Sequence, residues 1–250
     1  NPAQSDADAK HVEHALRHLD HLVVQEIFPT RTTEFAHVVL PAAATWCEGE
    51  GTVTNSERRV QRVRKALDPP GAARDELWII AQIAKRLGHD WGVPSAEEVW
   101  NEFRVVAPHF AGGMSYARLE ALGGIQWPCP TADHPGTRFL YGETFPKGKA
   151  RFVAVSQGEA AAELPDPDYP LILNTGRLLY HWHGGTLTRR VQGLLEVAPR
   201  LEGALHPVDA RRNGVEDGDS VCVPSRRGEL AGHPRLTTAV RPGALLLAFV

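Results

Sequence analysis

The sequence predicts an α/β chain. Part of a parallel-sheet α/β nucleotide-binding domain is expected over residues 1–156, a linker over 157–170, and a small β-barrel over 171–250. Two short apolar runs, 22–25 and 38–40, stand a helix-length apart, the spacing of a βαβ unit with parallel strands. Residues 157–170 carry Pro165, Pro167 and Pro170 among acids, the composition of a connector. Beyond them, short apolar runs alternate with glycine turns, the pattern of a small barrel.

Composition narrows the function. With 42% hydrophobic residues, the 250-residue chain can fill one large or two modest cores. Its 27 basic and 30 acidic residues give a net charge of −3, which argues against a general nucleic-acid binder. Cys47, Cys129 and Cys222 are far apart and odd in number, so neither a disulfide framework nor a zinc or iron–sulfur site made by this chain is expected. No apolar run is long enough to span a membrane and the first residues are polar, so neither a span nor a signal peptide is expected. We take a cytoplasmic location as the expectation and leave periplasmic export open.

Taken in order, Val12, Ala15, Leu16 and Leu19 recur at helical spacing over 11–19. The strand 22–25 follows, then a helical stretch leading to His37, then the strand 38–40, stopped by Pro41. Ligands of open parallel sheets sit off the carboxyl ends of the strands, which makes Gln25, Glu26 and Thr30 candidates at that edge. A solvated turn is the other reading of Glu26. Residues 47–55, CEGEGTVTN, put Glu48 and Glu50 on a glycine loop, suited to acid–base work or to plain solvation, before an extended run. Arg58, Arg59, Arg62, Arg64 and Lys65 form the densest basic run. It lacks the stacking aromatics of a nucleic-acid surface, so an extended segment near ligand phosphates or at a subunit contact is expected.

The clearest helix is 75–87: Asp75 and Glu76 suit its positive end, Leu77, Ile80, Ala84 and Leu87 line one side, and Gly88 stops it. Helices over 96–106 and 115–122 follow, and a long irregular connection begins at Trp127. Past the linker come a buried-type strand at 171–173, a helix at 207–212 capped by Gly214, and the turn EDGDS into a strand at 221–223. The turn SRRG and an apolar run over 240–250 complete the pattern.

The densest chemistry lies at 174–190, NTGRLLYHWHGGTLTRR. Arg177 offers a planar fork to phosphate or carboxylate, Thr175, Thr186 and Thr188 offer hydroxyls, and Gly176, Gly184 and Gly185 let backbone amides approach a ligand. Such a loop suits a large, polar, phosphorylated ligand; a polar loop over a sheet edge is the plainer alternative. His181 and His183 share a strand face, but no third ligand is suitably spaced, which favours hydrogen bonding to an organic cofactor over a metal site.

TGR, HWH and GTLTRR together resemble the C-terminal cofactor loop of molybdopterin oxidoreductases of the dimethyl sulfoxide reductase type, formate dehydrogenases above all. NPAQSDAD, VVQEIFPTRTTEFAHVVLPAA, EGTVTNSERRVQRVRKALDPPGAARDELW and GIQWPCP extend the likeness over nearly the whole chain. The resemblance implies that Thr175, Gly176, Arg177, His181, Trp182, His183, Gly184 and Thr186 face a molybdenum or tungsten bis(molybdopterin guanine dinucleotide) cofactor. It gives Gln25, Glu26 and Thr30 a guanine-nucleotide role, with Glu26 where the family has Asp. Glu76 likewise stands where the family places an Asp that holds the dinucleotide. Phe249 matches a family contact, whereas Gly49 replaces a basic residue, which removes one contact.

The same resemblance implies a six-stranded double-psi barrel whose last segments follow residue 250, leaving the final apolar strand as an open edge. No residue of this chain matches the family's metal ligand or catalytic residues. Those, and a 4Fe–4S cluster, are expected in an N-terminal remainder of the catalytic subunit, with electron-transfer subunits as further partners. The implied activity is interconversion of formate and carbon dioxide, with this chain inactive alone. A nitrate reductase portion and a noncatalytic dinucleotide-binding module are the alternatives.

Overall fold

The computed structural model describes residues 1–161, 163–200 and 202–248. The chain opens with a single turn, α1 (Pro2–Ser5), and α2 (Ala9–Arg17), whose N-cap Asp8 accepts the His11 amide. β1 (Val23–Glu26) and β2 (Val38–Pro41) pair in parallel, as the two apolar runs predict. The connection between them carries a 3-10 helix (Arg31–Phe35) in place of the expected longer helix. β3 (Gly51–Thr54) and β4 (Arg59–Val63) form an antiparallel pair. Next come α3 (Glu76–Arg86), α4 (Ala96–Val106), α5 (Pro108–Ala111), α6 (Tyr116–Leu122) and β5 (Ile125–Gln126), which pairs with β4. The rest comprises β6 (Ile172–Gly176), a 3-10 turn (Thr188–Arg190), α7 (Gln192–Val197), β7 (Glu202–Leu205), α8 (Pro207–Asn213), β8 (Val221–Pro224), β9 (Glu229–Leu236) and β10 (Ala244–Ala248).

These elements fall into two compact units, each described by itself. One comprises Val23–Pro29 and Ala36–Ala154; the other comprises Asn1–Leu22, Thr30–Phe35 and Val155–Val250. The chain is therefore interleaved, its first helices clustering with its last strands.

In the unit containing residues 36–154, α3 and α4 start where their caps dictate. Asp75 accepts the Leu77 amide, and Ser95 and Glu98 close a reciprocal capping box. Trp100, Met114, Tyr116, Leu119, Val60 and Ile125 form the core, and the Trp100 indole donates to the Met114 carbonyl at 2.6 Å. α3 buries only part of the side expected of it. Ala84 is buried as expected, but Ile79 and Ala81 face inward beside it, whereas Ile80 and Leu87 are exposed. Its sequence is apolar around most of its circumference, so periodicity leaves the buried face undecided. Backbone bonds decide it: Arg74 donates to Pro41 at 3.1 Å and accepts from Ala43 at 2.8 Å, orienting the helix as it leaves the strand end.

In the other unit, five strands run in the order β6-β10-β7-β9-β8. Leu245 of β10 pairs with Leu173 of β6 on one side and Leu205 of β7 on the other. β10 is thus an interior strand, not the open edge expected of it. None of α7, β7 and β9 is among the elements expected from the sequence. The edge strands β6 and β8 both line one cleft of about 1010 Å³, so the sheet curls toward itself. Leu205, Ala210, Leu245 and Leu247 make the core of the curl. Gly203 is required there, since a Cβ would lie 2.4 Å from the Leu246 carbonyl oxygen. The predicted linker docks on the β8–β9 turn: Arg226 pairs with Asp166, Arg227 with Glu163, and the Arg226 guanidinium lies 4.5 Å from the Tyr169 ring.

Candidate functional site

The loop 174–190 begins where β6 ends and is held from inside at two places. His181 is buried, at 3% exposure, between two partners. Its Nε2 lies 2.8 Å from the Ala198 carbonyl and its Nδ1 3.2 Å from the Thr188 hydroxyl. A carbonyl can only accept, so Nε2 carries the proton. The Thr188 oxygen accepts the Trp182 amide at 3.1 Å, leaving its own proton for Nδ1. His181 is therefore the loop's internal pin: both ring nitrogens face the chain rather than a ligand, in contrast with the role the resemblance implies. Burial and pairing of a polar ring go together, because an unpaired one would lose its hydration uncompensated.

The second hold is at the glycines. His183 lies in the left-handed region, at φ 46°, and Gly185 at φ 69°. The Gly185 amide returns to the Trp182 carbonyl at 2.9 Å, and Arg189 packs so closely that a Cβ on Gly185 would sit 2.6 Å from its side chain. Gln4 donates to the Gly184 carbonyl, and the Thr186 hydroxyl reaches Gln4 Oε1 at 3.5 Å. With the interior so engaged, the exposed face includes Thr175, Arg177, Tyr180, Trp182 and His183, beside the apolar Leu179 and Leu187. The Trp182 and His183 rings meet edge to face, centroids 4.8 Å apart. A guanidinium and two flat rings on a tethered turn can grip an anion and a planar heterocycle together.

Gln25, Glu26 and Glu76 lie in the unit that carries the parallel pair. Glu26 closes β1, and its carboxylate accepts the Ile27 amide at 2.9 Å; Gln25 beside it is exposed. The Glu26 carbonyl accepts from Ala42, and Ala42 bridges to Arg74 at the start of α3. Glu26 and Glu76 are thereby brought to one sheet edge, Glu76 accepting from the Thr45 hydroxyl at 2.9 Å. Thr30 is buried, and its hydroxyl has no partner among the described residues. Phe249 lies outside the described residues.

Glu48 and Glu50 are already engaged. Glu48 accepts the Ala44 amide at 2.8 Å and Glu50 pairs with Arg62. Gly49 leaves room for Asp75, whose carboxylate oxygen would be 2.8 Å from a Cβ there. A cleft of about 570 Å³ opens beside this loop, walled by Glu48, Glu50, Arg74, Asp75, Trp78 and Ser95, without Gln25 or Glu26. The basic run is committed inside its own unit: Arg58 donates to the Trp127, Thr137 and Arg138 carbonyls, and Arg64 pairs with Glu120. The charges of Arg58, Arg62 and Arg64 are thus met in part by carbonyls and carboxylates of the same unit.

The larger cleft, inside the curled sheet, contains none of the candidate residues. Its walls combine apolar side chains of the sheet, such as Leu173, Leu205 and Leu245, with charged residues of α2, the linker and the β8–β9 turn, such as Lys10, Glu163 and Arg226. Among the described residues, no group of three or more His, Cys, Asp or Glu is placed to hold a metal. Sequence reasoning missed Gln4 and the bracing role of Thr188. No local pattern marks either, because Gln4 meets its partner 180 positions away.

Residues 1–86 match the family model described as "Molybdopterin oxidoreductase", and residues 171–250 match the "Molydopterin dinucleotide binding domain". The chain is 45% identical over 253 residues to the F420-dependent formate dehydrogenase subunit alpha of Methanocaldococcus jannaschii, covering 100% of this chain and 37% of that protein. It is 35% identical over 276 residues to the periplasmic nitrate reductase of Desulfovibrio desulfuricans, covering 100% of this chain and 36% of that one. The chain thus spans little more than a third of the length of these relatives. Among solved structures, acetylene hydratase from Pelobacter acetylenicus superposes with a TM-score of 0.68 at 20% identity, over 97% of this chain and 35% of that one, a likeness of fold.

Proposed function

The chain belongs to the molybdopterin oxidoreductase family, and from that premise we propose that it is the C-terminal cofactor-binding portion of a formate dehydrogenase. The complete protein would interconvert formate and carbon dioxide with a molybdenum or tungsten bis(molybdopterin guanine dinucleotide) cofactor. The observation that carries the reading is the loop 174–190, pinned internally at His181 and Gly184 while Arg177, Trp182 and His183 stay exposed.

The residues fit the group. Arg177 offers forked donors to a pyrophosphate, and Thr175 with the backbone at Gly176 and Gly184 offers small polar contacts. Trp182 and His183 offer flat surfaces to a pterin or purine. Thr30, whose buried hydroxyl has no partner among the described residues, belongs to the proposed set. Gln25, Glu26 and Glu76 can accept the N–H groups of a guanine edge, and Thr186 and Phe249 complete the proposed set. His181 serves here by holding the loop. When bound, the metal–dithiolene centre supplies the two-electron chemistry.

We assign no catalytic residue and no metal ligand to this chain. The ligand residue, the catalytic groups and a 4Fe–4S cluster belong to the rest of the complete subunit, and electron-transfer subunits would take the electrons; this chain alone is expected to be inactive. The curled five-stranded sheet supports a double-psi barrel within 171–250, following a linker at 157–170 and the α/β portion at 1–156. No helix among the described residues is long and apolar enough to cross a membrane, and a cytoplasmic location is part of the proposal. The nitrate reductase likeness supports a second reading, that of a nitrate reductase portion; the higher identity to formate dehydrogenase favours the first.

The test is Arg177→Ala in the complete protein from a host that makes the cofactor. Released pterin dinucleotide and bound molybdenum and tungsten should fall several-fold while the melting temperature holds. Equal content in wild type and variant would overturn the reading.

A further inference from the structure

We propose that Gln4 is a positioning residue that sets the conformation of the glycine turn in the cofactor loop, a proposal that rests on the reading just given. α1 begins at Pro2 and brings Asn1 and Gln4 together, so that Asn1 Nδ2 donates to Gln4 Oε1 at 2.6 Å. Gln4 uses both ends of its amide on the loop: Nε2 donates to the Gly184 carbonyl, and Oε1 accepts from the Thr186 hydroxyl at 3.5 Å. One planar group thus spans the turn Gly184-Gly185-Thr186 and fixes its carbonyl direction.

Gln4 is itself held. Asn1 Oδ1 accepts the Thr32 hydroxyl at 2.8 Å and the Thr32 amide at 3.4 Å. Thr32 is 3% exposed, and its oxygen also accepts the Ala3 amide at 3.1 Å. The relay therefore runs from a buried threonine in the 3-10 helix through Asn1 and Gln4 to the loop, and every group in it has a defined donor or acceptor role. The fit is close: a Cβ on Gly184 would lie 2.7 Å from Gln4 Nε2, so the glycine and the glutamine occupy complementary space. A short turn carrying His183 at φ 46° and Gly185 at φ 69° has backbone alternatives close in energy, and the amide selects among them.

Such a residue touches no reacting atom. Its effect is to hold the exposed faces of Trp182 and His183 and the backbone at Gly184 in one arrangement before a ligand arrives, which lowers the ordering cost of binding.

The experiment combines amide exchange on the full chain without cofactor and pterin dinucleotide retention in the complete protein. Gln4→Met keeps length and removes both polar ends. We expect about tenfold faster exchange across 182–188, the change that losing one or two hydrogen bonds gives, with β10 unaffected. Gly184→Ala, which drives a methyl into the amide, should reproduce it. Gln4→Glu keeps the acceptor and loses the donor at neutral pH. Its protection should return as pH falls through the carboxyl's range, since only the protonated acid can donate to the Gly184 carbonyl, a pH profile that wild type lacks.

Unchanged exchange in Gln4→Met would overturn the proposal. So would faster exchange with dinucleotide retention unchanged in Gln4→Met but lowered in Arg177→Ala. Failure of the cofactor reading itself is seen separately, as equal retention in wild type and Arg177→Ala.

Discussion

His181→Ala and Arg177→Ala should separate the two jobs of the loop. Removing the imidazole strips the Ala198 carbonyl of its donor, and Ala198 is itself only 3% exposed, so water cannot readily replace it. Leaving a buried acceptor unpaired costs about 1–3 kcal/mol, and the lost bond to Thr188 adds about 0.5–1.5 kcal/mol. Partial relaxation into the space left by the ring offsets some of this, for a net loss of about 1–4 kcal/mol. Arg177 is exposed and makes no hydrogen bond or ion pair among the described residues, so Arg177→Ala should change stability by less than about 0.5 kcal/mol. Because the chain has two compact units, one global transition is the wrong observable. Urea-dependent amide exchange over 178–198 reads the loop directly. A third variant, Thr188→Val, cuts the bonds to His181 and to the Trp182 amide and should fall between the two. If His181→Ala proves as mild as Arg177→Ala, the pin is not structural and the histidine is free to face a ligand after all.

Further outcomes follow from packing and charge. Gly113→Ala would place a Cβ 1.9 Å from the Thr131 carbonyl oxygen, a rigid backbone atom, and should cost about 3 kcal/mol or more in thermal denaturation. Glu163 is held below the usual glutamate range, chiefly by its hydrogen bond from Arg227 and then by the charges of Arg227 and Arg226. A carboxylate lowered on folding stabilises above its unfolded value, and the contribution is lost as pH falls through the folded one. Amide protection of 163–170, corrected for intrinsic rates, should therefore hold at neutral pH and decline only below the ordinary glutamate range. The same attachment should weaken in high salt, because these pairs are exposed.

Much of the architecture was legible in local chemistry. Ser95 and Glu98 mark the start of α4, Asp75 that of α3, and Gly214 the end of α8, because caps act over one turn of chain. The parallel pairing of β1 and β2 follows from two apolar runs with room for a crossover between them. β9 was not legible: ELAGHPRL carries glycine and proline inside the strand and alternates poorly, and it is held by pairing on both sides. β7 is four residues with a glycine, and its place depends on β10, about forty positions later.

By itself, the sequence determined where the longer capped helices and the parallel apolar strands form and which stretch carries the ligand-seeking chemistry, since propensity, capping and composition are local properties. Only the tertiary structure decided which of those groups remain available. His181 and His183 are two residues apart and alike in sequence, yet one is spent on Ala198 and the other stands exposed. A polar group's availability depends on which distant atoms have already taken its hydrogen bonds, and burial makes that competition decisive.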